Sequence, residues 1–233
     1  MTDEITALGP SNVTFLQKLK VSGNSAVFKV AVHGRTCVMK VVSEIFLITD
    51  TFAKCFKYHD RGSSDCDPPD HKVNLFVCES TVYQWMKVKG LCKQGIVSDF
   101  YEMIKNIQSI LWPDLNMFLE DKLPPNTILI EYILNMEPIE LFNFSKHYLK
   151  QLHHILYDIH KTGVLHGDPK SRNMMISREE ENKVLWIDFD SAQTFSEDLL
   201  SPQQETWVKE EVEMMDFFVE ALVGFSHLFH NFD

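Results

Sequence analysis

Residues 25–42, "SAVFKVAVHGRTCVMKVV", alternate apolar and polar side chains on both sides of "HGRT". A period of two is the mark of a half-buried strand, and a glycine between two such runs allows the chain to fold back. The pattern predicts a β-hairpin with Gly34 in its turn. The period then changes. "NLFVCESTVYQWMKVKGL" (74–91) carries apolar residues at helical spacing, as do "KHYLKQLHHILYDIHKTG" (146–163), which ends at Gly163, and "TWVKEEVEMMDFFVEALVGFSHLF" (206–229). "TILIEYIL" (127–134), announced by "LPPN", reads as a buried strand. "NMMIS" and "KVLWIDF" read as two short strands around the charged turn "REEEN". "KYHDRGSSDCDPPDHK" (57–72) is polar and rich in turn formers, and predicts a surface loop. Strands therefore dominate the first half and helices the second, with "NMEPI" (135–139) as the connector. The expected fold class is α+β, in two parts: 1–134 and 135–233.

Composition narrows the classes. The chain has 233 residues, 45% of them hydrophobic and 24% charged, with a net charge of −11. A core of ordinary size is expected, and an excess of acid disfavours a broad nucleic-acid or anionic-membrane surface. Nucleic acid is thus an unexpected partner, although a local basic patch leaves tRNA open. Five cysteines, with no CxxC pair, suit reduced thiols in the cytoplasm. "MTDEITALGPSNV" lacks the basic and apolar regions of a secretory signal, and no apolar run suggests a membrane span.

Two polar stretches carry candidate chemistry. "HGDPKSRN" (166–173) places His, Asp, Lys and Asn in one loop, and "WIDFD" (186–190) ends an apolar strand on an aspartate. Phosphoryl transfer needs a carboxylate facing the acceptor, oxygen ligands for magnesium and a lysine on the phosphates. Asp168 suits the acceptor-facing base and Lys170 the γ-phosphate, while Asn173 and Asp188 suit the metal.

These residues resemble the protein-kinase superfamily. His166, Asp168, Lys170 and Asn173 match its catalytic loop H-R-D-x-K-x-x-N, with Gly167 in place of the arginine. Asp188 and Phe189 match D-F-G, with Asp190 in place of the glycine. "HGD" and "IDF" resemble the small atypical branch: RIO kinases, the kinase of the tRNA-threonylcarbamoylation complex, lipopolysaccharide and antibiotic kinases, and small fungal kinase-like proteins. "VMK" is similar to the family's V-A-I-K strand and implies that Lys40 meets the α- and β-phosphates. The resemblance implies Glu79 as its ion-pair partner. It also implies a hinge at "ILIEYIL", where the backbones of Glu131 and Ile133 would meet adenine beneath Val27 and Val38. The implied fold is bilobal, with an antiparallel sheet lobe and a helical lobe truncated after a counterpart of the family's F helix. The implied cofactors are ATP and Mg2+.

The departures have consequences too. Where the family reads G-x-G-x-x-G-x-V, "KVSGNSAV" (20–27) retains only Gly23, leaving Ser22 and Ser25 to offer hydroxyls to phosphate. Glu79 lies 39 positions after Lys40, about twice the spacing the resemblance implies, and the excess falls in an insertion at 50–72. No A-P-E motif follows Asp190, and Gly167 removes the arginine that reads a phosphorylated activation loop, so control by such phosphorylation is not expected. Three functions fit: an ATP- and magnesium-dependent phosphotransferase acting on a small molecule or a narrow protein substrate, a pseudokinase binding module, or the same fold turned to another transfer. That last would be adenylyl transfer or aminoacyl-tRNA-dependent amide or cyclodipeptide formation in a fungal small-molecule pathway.

Plainer readings stand beside the sharper ones. His166 suits a buried, backbone-bonding role. His153, His154 and His160 suit a helix face, and Met214, Met215, Phe217 and Phe218 suit core packing. His59, Cys66 and His71, near Asp60, Asp65, Asp67 and Asp70, lack tight ligand spacing and suit an acidic loop better than a metal site.

Overall fold

A computed structural model of the chain describes residues 8–43, 74–177, 179, 183–195 and 200–229, with the backbone alone at 223 and 225–229. The predicted loop 57–72 and its His/Cys/Asp cluster lie outside the described residues, as does most of the "REEEN" turn. Helices and an antiparallel sheet make the protein α+β.

Five strands form the sheet: β1 (Val13–Val21), β2 (Ser25–Val32), β3 (Arg35–Val42), β4 (Phe100–Ile104) and β5 (Asn126–Glu131). They lie in the order β1-β2-β3-β5-β4 and every pair is antiparallel. The β2–β3 turn is His33-Gly34, both with positive φ (49° and 78°). Two left-handed residues give the turn whose twist matches that of the strands, which is why glycine is favoured there.

The sheet is covered on both faces. Phe28, Val30, Cys37, Met39, Val41 and Leu129 point to one side, where Ile107, Trp112, Leu115 and Phe118 close over them. Those four come from a segment of short 3-10 turns (Ser109–Leu111 and Pro113–Phe118) between β4 and β5, where the sequence shows no sustained period. On the other face Val38, Val42, Ile128 and Ile130 meet helix α1 (Leu75–Val88). Asn74 caps α1 by accepting a bond from the Val77 N–H at 3.0 Å.

Helix α2 (Lys146–Lys161) is capped in the same way by Ser145 and buries Leu149, Leu152, Leu156 and Ile159, spaced as one helical stripe. Around it lie β6 (Met136–Pro138), β7 (Val164–Leu165), β8 (Met174–Ser177), β9 (Val184–Trp186) and β10 (Gln193–Thr194). β6, β8 and β9 form one small sheet, and β7 pairs with β10. "NMEPI" is therefore more than a connector, because Met136–Pro138 pairs with β8. A three-residue edge strand ending in proline is too short to show alternation. Helix α3 (Pro202–Phe229) buries Met215 and Leu222. Phe217 in the same stripe is 73% exposed, so the expected core face is narrower than the apolar pattern. No helix among the described residues is long and apolar enough to cross a membrane.

Candidate functional site

β3 turns Lys40 toward α1, on the same face as Val38 and Val42. Its ammonium meets the Glu79 carboxylate at 2.7 Å, and both side chains are buried. Lys40 also pairs directly with Asp188 and stands 3.6 Å from Asp190. Asp188 follows β9 with a left-handed backbone (φ 67°, ψ 61°). That conformation is unfavourable for a residue with a Cβ and persists where the surroundings hold it. Here the next residue, Phe189, is locked in the core, its ring 5.4 Å from Tyr83 and 4.7 Å from His166. With Phe189 driven inward, Asp188 is aimed at Lys40.

The charges of this group are unequal. Burial works against the Lys40 ammonium, but the Glu79, Asp188 and Asp190 carboxylates outweigh it and hold its pKa well above the ordinary value. Burial pushes Glu79 up to about 7 against the pull of Lys40. Asp188 is also penalised by burial, yet Lys40 holds its carboxyl below the usual range. Asp190 is raised by burial and by the Asp188 charge. One ammonium thus faces three carboxyl groups, a balance open to a further cation.

Asp168 belongs to a second group, formed by the loop between β7 and β8. Its carboxylate receives Lys170 at 2.6 Å, Arg172, and the Asn173 side-chain amide at 3.0 Å. The same amide also donates to the Asp168 carbonyl at 2.9 Å. With its nitrogen so used, the Asn173 amide oxygen is the atom left to accept or ligate. His166 joins the two groups. It is fully buried, donates from Nε2 to the Ile187 carbonyl at 3.1 Å, and accepts the Asp168 N–H at Nδ1 at 3.3 Å. This is the expected backbone-bonding role, and burial lowers its pKa, which suits the neutral ring.

Two further residues fix the loop. Gly167 has φ 82°, and a Cβ there would stand 2.1 Å from the Ser191 carbonyl oxygen. Glu211 of α3, itself fully buried, accepts the backbone N–H groups of His166 (3.1 Å) and Gly167 and pairs with His160 Nε2 at 2.8 Å. Sequence reasoning missed Glu211 and assigned His160 only to a helix face. The available signal was a glutamate four positions before the buried Met215, on the apolar side of α3. Arg172 was missed as well, and Asp190 had no assigned role.

The remaining predicted residues line the sheet side. Val27 pairs in register with Lys40 and therefore shares its face with Val38. Glu131 donates its backbone N–H to the Asp99 carbonyl at 2.8 Å, and its carboxylate lies 3.7 Å from Lys183. Ile133 has a buried side chain, and its backbone N–H has no partner among the described residues. Ser22 and Ser25 bond each other at 2.8 Å, and the Ser25 N–H donates to Ser22 Oγ at 3.1 Å. Their hydroxyls are thus engaged within the β1–β2 turn. Gly23 at its tip faces open space.

The donor set suits a hard cation: the Asp188 carboxylate, the Asn173 amide oxygen and a local excess of negative charge. No three His, Cys, Asp or Glu side chains among the described residues form a metal cage of their own. Magnesium suits such a partial set, since it keeps waters and takes ligands from substrate phosphates. No protein-family model matches the chain, and neither does any curated protein.

Proposed function

We propose that the protein is an ATP- and magnesium-dependent phosphotransferase with a bilobal, protein-kinase-like fold, acting on a small molecule or a narrow protein substrate. Residues 1–134 would form the nucleotide-binding lobe and 135–233 would belong to the second lobe. The observation that carries this reading is Lys40, held between Glu79 of α1 and Asp188 after β9. Three elements distant in sequence converge to orient one buried ammonium. A nucleotide's phosphates would meet Lys40, and magnesium would be held by Asp188 and Asn173. The acceptor would lie beside Asp168, with Lys170 neutralising the γ-phosphate. Adenine would reach the Glu131 and Ile133 backbones between β5 and β6, beneath Val27 and Val38.

A second reading, a binding module without turnover, is favoured by the threefold engagement of Asp168 with Lys170, Arg172 and Asn173. Thermal unfolding with ATP, with and without magnesium, tests the shared part of both. ATP with magnesium at one hundred times its dissociation constant should stabilise the protein by about 2.7 kcal/mol. An unchanged melting temperature at saturating nucleotide, alongside a rise with another class of ligand, refutes both. Release of ADP dependent on an added acceptor separates turnover from binding.

A further inference from the structure

β1 does not follow the simple alternation of a strand. Phe15 pairs with Val30, the register shifts, Gln17 pairs with Lys29 and Lys18 with Phe28. A second shift follows, and Lys20 pairs with Val27. Leu16 and Leu19 are the extra residues, and both are exposed. A bulge of this kind changes which side chains point to which face. Without it, Lys18 and Lys20 would share a face. With it, Lys18 joins Phe28 on the covered outer face, where its ammonium lies 5.9 Å from the Phe28 ring centroid. Lys20 instead joins the row Lys20, Val27, Lys40 and Ile128, one residue from each of four neighbouring strands, on the face of the Lys40 ion pairs.

We propose that Lys20 binds the phosphates of the nucleotide, turned toward them by the bulge at Leu19. The proposal rests on the phosphotransferase reading above and extends it to a residue which that reading leaves unused. Three features support it. Lys40 already serves three carboxyl groups, so a polyphosphate brought to this site requires further positive charge. The β1–β2 turn has a single glycine, and its Ser25 N–H and both serine hydroxyls are engaged inside the turn. The Lys20 ammonium has no hydrogen-bond or ion-pair partner among the described residues, and its charge acts on Asp188 across the site. An exposed lysine on a four-carbon stem is able to follow the phosphates as they enter.

The test is calorimetric titration of ATP with magnesium, and separately of adenosine, into wild type, Lys20→Met, Lys20→Arg and Lys18→Met. Lys18→Met removes the same charge two positions away but on the opposite face. The expected result is a loss of about tenfold or more in ATP affinity for Lys20→Met. Adenosine affinity should be unchanged, Lys20→Arg should recover most of the loss, and Lys18→Met should bind ATP as wild type does. Equal ATP affinity in Lys20→Met and wild type overturns the proposal and leaves the nucleotide reading standing. So does an equal loss for ATP and adenosine, or an equal loss in Lys18→Met. Failure of wild type to bind either ligand overturns both.

Discussion

Gly167→Ala adds one methyl group where the two polar stretches of the site pass each other. The glycine sits at φ 82°, and the new Cβ would stand 2.1 Å from the Ser191 carbonyl oxygen. A left-handed backbone costs a residue with a Cβ roughly 1–2 kcal/mol. The clash adds to this, because the Ser191 carbonyl has to retreat by roughly 1 Å to restore even a tight contact, and such overpacking costs about 1–3 kcal/mol. The total is about 2–5 kcal/mol, or roughly 5–20 °C in Tm for a chain of this size. Urea unfolding of Gly167→Ala beside Gly23→Ala measures it. Gly23 faces open space, so its alanine variant should lie within about 0.5 kcal/mol of wild type. If Gly167→Ala also lies within about 0.5 kcal/mol, with an unchanged denaturant slope, then the close passage of 167 and 191 is wrong. The same contact explains why this loop reads "HGD": an arginine at 167 would meet the Ser191 carbonyl with its Cβ.

Glu211→Ala should cost about 2–4 kcal/mol in urea unfolding, because the buried His166 N–H and the half-buried Gly167 N–H lose their acceptor. Glu211→Gln, which retains one side-chain oxygen, should lose less, and equal losses would contradict the assignment. His166 is held neutral by burial, with its pKa below the ordinary 6.5, so below that pH the unfolded chain takes up a proton that the folded chain refuses. Its stabilising contribution is therefore fully present above about pH 6.5 and falls away as pH drops toward the folded value. Unfolding curves of His166→Asn should be flatter over that window than those of wild type, and parallel curves would show that His166 does not contribute. Asp168→Asn should leave nucleotide affinity little changed and lower the rate of product formation by about 10²- to 10⁴-fold; normal turnover would remove Asp168 from the chemistry.

Local signals carried the hairpin at Gly34, the helices and the "HGDPKSRN" loop, because each is a short-range pattern with a short-range cause. The two residues that hold the loop were less accessible. Glu211 is 44 positions from the Gly167 N–H it accepts, and only the folded chain brings them together. Gly167 was visible as a departure from the kinase pattern, but the need for it lies in a carbonyl at 191. β1 hid its facing because two bulges break the period of two, which left Lys20 without an assigned role. The stripe on α3 misled in the other direction, since Phe217 shares the apolar run and still faces solvent.

In the proposed phosphotransferase, Asp188, beside Lys40, would be the metal-bearing end of the nucleotide site. Calorimetric titration of ATP into wild type and Asp188→Asn, each with and without magnesium, decides whether it is. Asp188→Asn removes a charged oxygen ligand from a hard cation while keeping the side chain's shape. Magnesium should strengthen ATP binding to wild type and do little for the variant. Equal strengthening by magnesium in both proteins would contradict it.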